Sequence, residues 1–220
     1  MRLGIANHMV ESMLKVAPHV TAIFDMDMSA VIAHRAANKV NFEQRGVKLT
    51  FTAYFVQAAL QALEAVPQVN SKWHDDVLEV FADVNVGIAT ALEDGLIVPV
   101  IHKVQNLNLL GIADRLQDLT GRARKGGLQP GDVQGGTFTI TNHGVSGSLI
   151  ATPIINQPQS AILGIGKMEK RVVVTEDSGI EALAIKPKIY VTLTIDHRAL
   201  DGYQANKFLT RFVSVIENWS

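Results

Sequence analysis

A chain of 220 residues, 47% hydrophobic and 19% charged, is long enough to bury one substantial core and short enough to be one domain. Its 20 basic and 21 acidic residues leave a formal charge of -1, which gives no electrostatic case for nucleic acid as a partner. No apolar run approaches the roughly 18 residues that cross a bilayer, and the absence of cysteine excludes disulfides, thiolate metal sites and a cysteinyl acyl-enzyme.

In chain order, Val20, Ala22, Phe24, Met26 and Met28 alternate with Thr21, Asp25 and Asp27, the period of two of a half-buried strand. Ser29 is then read as the cap of a helix running to about Phe42. A second helix is predicted from Phe51 to about Val66, paired strands between Val77 and Leu92, and a further strand from Leu96 to Ile101. A helix from about Leu107 to Arg124 stops at the Gly126-Gly127 breaker. The rest is mostly sheet, ending in a strand in which Ile189, Val191, Leu193 and Ile195 alternate with Tyr190, Thr192 and Thr194. Ala205, Phe208, Leu209, Phe212, Val215, Ile216 and Trp219 recur at helical spacing, so a last helix begins near Gly202 with Asp201 as its N-cap. Strands and helices mixed in this irregular order, without internal repeats, predict a two-layer α/β sandwich with a mixed sheet.

The string DHRALDG, Asp196 to Gly202, places His197 where a strand gives way to a helix, with Asp201 four residues on. A strand end aims a side chain rigidly, which suits a general base. By themselves the two residues have an ordinary reading as a satisfied polar group and a helix cap. The neighbouring Asp196 and Arg198 read as a local surface ion pair, worth about 0 to 1 kcal/mol. Other signals are weak: GVSGS, Gly144 to Ser148, lacks the second glycine of a nucleophile elbow. The seven histidines show no zinc-ligand spacing, so no metal site is expected. The GIG of Gly164 to Gly166 is no dinucleotide fingerprint.

DHRALDG resembles the HxxxDG signature of the dihydrolipoamide acyltransferases, the core component of the 2-oxo acid dehydrogenase complexes. GGTFTITNHGVSGSLIATPIINQPQSAILGIGKMEKR, Gly135 to Arg171, is similar to the family's strand, glycine-rich loop and second strand. Arg2 to Ser12 resembles the opening of its catalytic domain, and Asp94 to Ile101 its central strand. The resemblance covers nearly the whole chain in the right order. It corresponds to the catalytic core alone, without the lipoyl and peripheral-subunit-binding domains.

That resemblance implies the chloramphenicol-acetyltransferase-like fold and a homotrimer with active sites between subunits. It implies acyl transfer between coenzyme A and dihydrolipoamide, the lipoyl group arriving on a separate domain. The 2-oxo acid dehydrogenase and dihydrolipoamide dehydrogenase components would be partners, in the cytoplasm or the mitochondrial matrix. The absence of a charged-then-apolar leader agrees with such a location.

By the same resemblance, His197 is the general base, its neutral imidazole with pKa near ~6.5 matched to a thiol near ~8.5. Thr141 of a neighbouring subunit is the oxyanion donor, although a strand threonine is commonly only that. Asp201 holds the loop. Arg35, Thr50, Asn142 and Gly166 match positions lining the coenzyme A end, and a guanidinium at 35 suits phosphate oxygens. His143 is expected in a solvated loop. His8 stands where relatives usually have arginine, and the C-terminal VSVIENWS stops short of the apolar tail that joins trimers. Thr141 and TPIINQPQSAILG are closest to succinyl-transferring members, whereas HGVSGS differs from their loop, which keeps acetyl and branched-chain groups open. A trimeric acetyltransferase of small hydroxyl compounds is the alternative, though its members usually read His-His where this chain has Asp196-His197. A non-catalytic scaffold is a further alternative.

Overall fold

The computed structural model describes residues 2–92, 95–177 and 179–220; the expectation for Asp94 lies outside them. In order these form α1 (Arg2–Glu11), β1 (His19–Asp27), α2 (Ser29–Gln44), α3 (Phe51–Ala65), β2 (Ser71–Trp73) and β3 (Leu78–Val80). There follow β4 (Val86–Leu92), β5 (Gly95–Ile97), β6 (Val100–Ile101), α4 (Leu109–Arg124), β7 (Phe138–Asn142), β8 (Ala161–Ile165), β9 (Glu169–Asp177), β10 (Ile180–Asp196) and α5 (Gly202–Glu217). Eight strands form one sheet in the order β1-β10-β8-β7-β4-β5, with β6 on β4 and β9 on β10. β4, β7 and β8 run parallel and the other pairs antiparallel. The mixed sheet under a helical layer is the architecture predicted.

Helix α3 explains the layering. Ala53, Tyr54, Phe55, Val56, Ala58, Ala59, Leu60, Ala62 and Leu63 are all buried, and a helix apolar almost all round belongs inside the core. It packs against α4 and α5, and α5 lies on β1 and β10 through Ala205, Phe208, Leu209, Phe212 and Ile216. The opposite face of the sheet is covered by chain between residues 148 and 160. There the Thr192 hydroxyl donates to the Ala151 carbonyl (3.1 Å) and the Thr139 hydroxyl to Gln159 (2.7 Å). Both hydroxyls find partners, as most buried polar groups do.

Three expectations are corrected. Val77–Leu92 is not a pair of strands: β3 pairs with β2, while β4 joins the main sheet beside β5, β6 and β7. The predicted strand from Leu96 to Ile101 divides into β5 and β6, a break that accommodates Pro99, which has no N–H for a ladder. Ser29 does not cap α2; its hydroxyl and N–H both donate to Asp27 (2.6 and 2.8 Å). The helix end is therefore held from Asp27, whose carboxyl these bonds pull below the usual range against the opposing effect of burial.

Candidate active site

At the C-terminal ends of the parallel strands β4 and β7 lies a cavity of about 800 Å³. Crevices beyond the carboxyl ends of parallel strands are the common ligand position in open α/β sheets. Its floor is apolar, with Ile88, Ile140, Ala113 and Leu116 buried there. Lys48 and Arg124 are exposed at its rim, and none of the described residues lining it is acidic. Between floor and rim stand hydroxyls, including Thr141 and a Thr50 Oγ1 that is buried without a hydrogen-bond partner.

Thr50, Thr141 and Asn142 share one cavity. Arg35 and Gly166 do not line it. The Arg35 Nε donates to the Leu49 carbonyl (2.8 Å) and its guanidinium sits 5.0 Å from the centre of the Phe51 ring, so it stands behind a wall residue. Gly166 lies under the turn at 144–146: a Cβ there would come within 2.1 Å of the Leu149 carbonyl oxygen and 2.9 Å of that of Tyr190. Glycine is required because backbone passes against backbone.

The expectation of a solvated His143 is overturned. The residue lines the cavity, and both ring nitrogens are buried with no hydrogen-bond partner. Burial lowers its pKa from 6.5, opposed by proximity to the Ser148 backbone, so the ring is predominantly neutral at pH 7.

His197 lies elsewhere. Its backbone N–H donates to the Pro18 carbonyl (2.9 Å) and that of Asp196 to Ser160 (2.8 Å), which ties the end of β10 down on both sides, and the residue is exposed. Asp196 is only 2% exposed, and its carboxylate accepts from Arg198 Nη2 (2.7 Å), Nε and the backbone N–H (3.0 Å). This is not the surface pair expected: one partner is buried, and the hydrogen bonds raise the Arg198 pKa. Asp201 caps α5 as predicted, accepting from Tyr203 N–H (2.7 Å) and Gln204 N–H (3.3 Å), while Gln204 returns a bond to its backbone N–H (2.9 Å). That reciprocal pairing is a capping box.

The sheet register separates His197 from Thr141. Thr141 pairs with Gly164 and Gly164 with Thr192, so His197 lies two strands across and five residues along. At ~3.3 Å per residue and ~4.8 Å per strand, that is roughly 19 Å. Beside the histidine loop, where His19 pairs with Asp196, the segment 155–157 is held by Ser12 and His19, which the sequence does not mark, and by His8. The Ser12 hydroxyl donates to Ile155 (2.7 Å) and accepts from Gln157 (3.1 Å). His19 Nδ1 lies 2.7 Å from the Ala17 carbonyl and its Nε2 accepts from Ile155 N–H (3.0 Å), an arrangement that assigns the proton to Nδ1. His8 bonds Asn156 (3.0 Å). Apart from the His19–Ala17 contact, each joins residues 136 to 148 apart in sequence, a pairing with no local sequence signal.

Two catalytic-type clusters on one sheet can be compared with known proteins. The family model for the 2-oxoacid dehydrogenases acyltransferase (catalytic domain) matches residues 1–220. The chain belongs to that acyltransferase family. It is 41% identical over 219 residues to the dihydrolipoyllysine-residue succinyltransferase component of the 2-oxoglutarate dehydrogenase complex of Rickettsia bellii, covering 99% of this chain and 54% of that protein. It is also 41% identical over 209 residues to the dihydrolipoyllysine-residue acetyltransferase component of the pyruvate dehydrogenase complex of Mycobacterium bovis, covering 93% and 38% respectively. The chain therefore spans about half or less of these relatives' lengths. A solved structure of a probable dihydrolipoamide acetyltransferase from Listeria monocytogenes superposes with a TM-score of 0.93 at 38% identity, covering 100% of this chain and 92% of that one. Chloramphenicol acetyltransferase shares the fold, with a TM-score of 0.59 at 12% identity over 91% of this chain and 89% of that one. Relatives of the acyltransferase family at equal identity transfer different acyl groups by name, so identity alone does not select one.

Proposed function

We propose that the chain transfers an acyl group between coenzyme A and a dihydrolipoyl thiol carried on a separate domain. His197 of one copy takes the proton from the attacking sulfur, and the thiolate adds to the thioester carbonyl carbon. The Thr141 hydroxyl of a neighbouring copy donates to the resulting oxyanion. Collapse breaks the original C–S bond, and the departing thiolate recovers the proton from the imidazolium. A preorganised donor of this kind is worth ~100- to 1000-fold in rate, and general-base assistance ~100- to 10,000-fold.

One observation carries the reading: His197 is exposed at the end of β10 while Thr141 lines a cavity roughly 19 Å away by register. A site using both needs two copies of the chain, which supports a homotrimer with sites between subunits. Such trimers would form part of a larger core binding the dehydrogenase components. Thr50 and Asn142 are assigned to the coenzyme A side, with Arg35 acting through Phe51. The two rim cations and the lack of acidic residues in the described wall favour an anionic acyl group, so succinyl is preferred over acetyl or branched-chain groups. The test is turnover of acyl-coenzyme A donors with dihydrolipoamide by wild type and His197→Ala; retained activity in the variant overturns the base assignment.

A further inference from the structure

His143 has no role in the chemistry just described, yet it occupies the same cavity as Thr141. Its backbone is fixed: the His143 N–H donates to the Ile165 carbonyl (3.1 Å), and its carbonyl accepts from the Ser146 N–H (3.1 Å). The turn it opens is pressed onto the next strand end, where a Cβ on Gly144 would lie 2.1 Å from the Gly166 carbonyl oxygen. On this anchored segment, both imidazole nitrogens are buried and neither has a partner in good hydrogen-bond geometry, the Ser148 backbone being the one polar neighbour that favours a proton on the ring. Buried polar groups in folded proteins nearly always have partners, and an orphan in a cavity wall calls for a ligand that completes it. A neutral imidazole offers one N–H donor and one acceptor.

The spacing indicates which part of a ligand it meets. If Thr141 marks the thioester carbonyl, as the proposed reaction requires, His143 lies two residues further along the chain, at ~6.6 Å. An acetyl methyl extends only ~1.5 Å from the carbonyl carbon, whereas the carboxylate of a four-carbon diacid lies two carbons further, at roughly 4 to 5 Å by ordinary bond lengths. With one hydrogen bond of ~2.8 Å added, the carboxylate reaches about 7 to 8 Å, comparable to that spacing, whereas the acetyl methyl has no group to bond. The charged side chains in the same wall, Lys48 and Arg124, are cations, so nothing acidic in the described wall opposes a carboxylate there.

We propose that His143 is a specificity-determining residue that donates its ring N–H to the distal carboxylate of a dicarboxylic acyl group, so that the cavity selects succinyl over acetyl. This rests on the placement of the thioester at Thr141. A charge-assisted bond raises the pKa of the donor imidazole when the carboxylate arrives. An acetyl group leaves the ring as it is in the free protein.

Two measurements on the full assembled chain test this. The first follows the His143 imidazole by NMR against pH, with succinyl-coenzyme A or acetyl-coenzyme A bound and no dihydrolipoamide present. The expected result is an upward pKa shift with the succinyl donor alone; equal responses to both donors, or none, overturn the proposal whether or not the protein turns over. The second compares kcat/KM for the two donors in wild type and His143→Leu. The succinyl-to-acetyl ratio falls about 10- to 100-fold, as loss of one hydrogen bond to a charged group predicts, and His143→Gln, which keeps an N–H donor, recovers part of it. An unchanged ratio refutes the specificity role. A wild type that shows the selective titration but transfers no acyl group refutes the acyltransferase reading and leaves the carboxylate contact standing.

Discussion

Asp196 and Arg198 hold each other across His197: the buried Asp196 carboxylate takes the Arg198 guanidinium at 2.7 Å and the Arg198 backbone N–H at 3.0 Å. The intervening backbone is closed into a ring, with the His197 N–H bonded to Pro18 on the other side. Arg198→Met removes the guanidinium and leaves a buried acceptor partly unpaired, a loss of about 1 to 2 kcal/mol because the arginine itself is half-solvated. Urea denaturation checks this. Turnover falls ~10-fold or more with KM little changed, since a misaimed base slows the chemical step; an unaltered kcat would show that the clamp does not aim His197.

Asp201→Ala removes the cap that receives two backbone N–H groups of α5. The expected loss is ~1 kcal/mol, which for a chain of this size lowers Tm by about 2 to 4 °C. Asp201→Asn, which keeps the acceptor, stays near wild type. Equal melting temperatures for the Ala and Asn variants would mean the cap contributes nothing measurable.

A site shared between copies has a stoichiometric signature. His197→Ala and Thr141→Ala are each inactive or nearly so. Mixed, unfolded and reassembled together, they regain about a quarter of wild-type turnover, the chance that a copy with His197 adjoins a copy with Thr141 in a cyclic assembly. If both residues belonged to one chain's site, mixing would restore nothing.

Acid stability has a local probe in Asp132, whose pKa the Arg122 hydrogen bond, aided by the Gln129 N–H, lowers from 3.8 to about 2. The folded chain binds this proton less readily than the unfolded chain. The contribution is therefore intact above pH 3.8 and is lost as pH falls toward about 2. Asp132→Asn flattens the stability profile over that interval, and salt weakens the wild-type effect because the pair is solvated. Parallel profiles for the two proteins would contradict this.

What was legible in the sequence was local. The end of β10, the Asp201 cap and the buried stripe of α5 follow from residues within one or two turns of each other. β4 is hard to assign from sequence because its partner β7 begins some 50 residues later and runs parallel, and the link to β3 at 81–85, with Asp83 and Asn85, does not tell a hairpin turn from a passage between sheets. The outer half of β10 falls in the stretch expected to be mostly sheet, but its bounds are not legible for another reason. Residues 180–187 pair with β9 alone and leave Leu183 at 77% exposure and Ile185 at 69%, so no buried face imposes a period. In the site, Thr50, Thr141 and Asn142 line one cavity. The distance from Thr141 to His197 depends on a register passing through β8, and the burial of His143 on the fit of Gly144 over Gly166; neither is written in the residues themselves.

That fit also limits how the pocket can be altered. At positions 144 and 166 an added methyl group would collide with main chain on another segment, so neither tolerates variation without moving a strand. Retuning for a longer, branched or uncharged acyl chain is therefore open at the cavity-lining side chains 143, 145 and 146, over an unchanged backbone. A library at those three sites varies the cavity without disturbing either glycine.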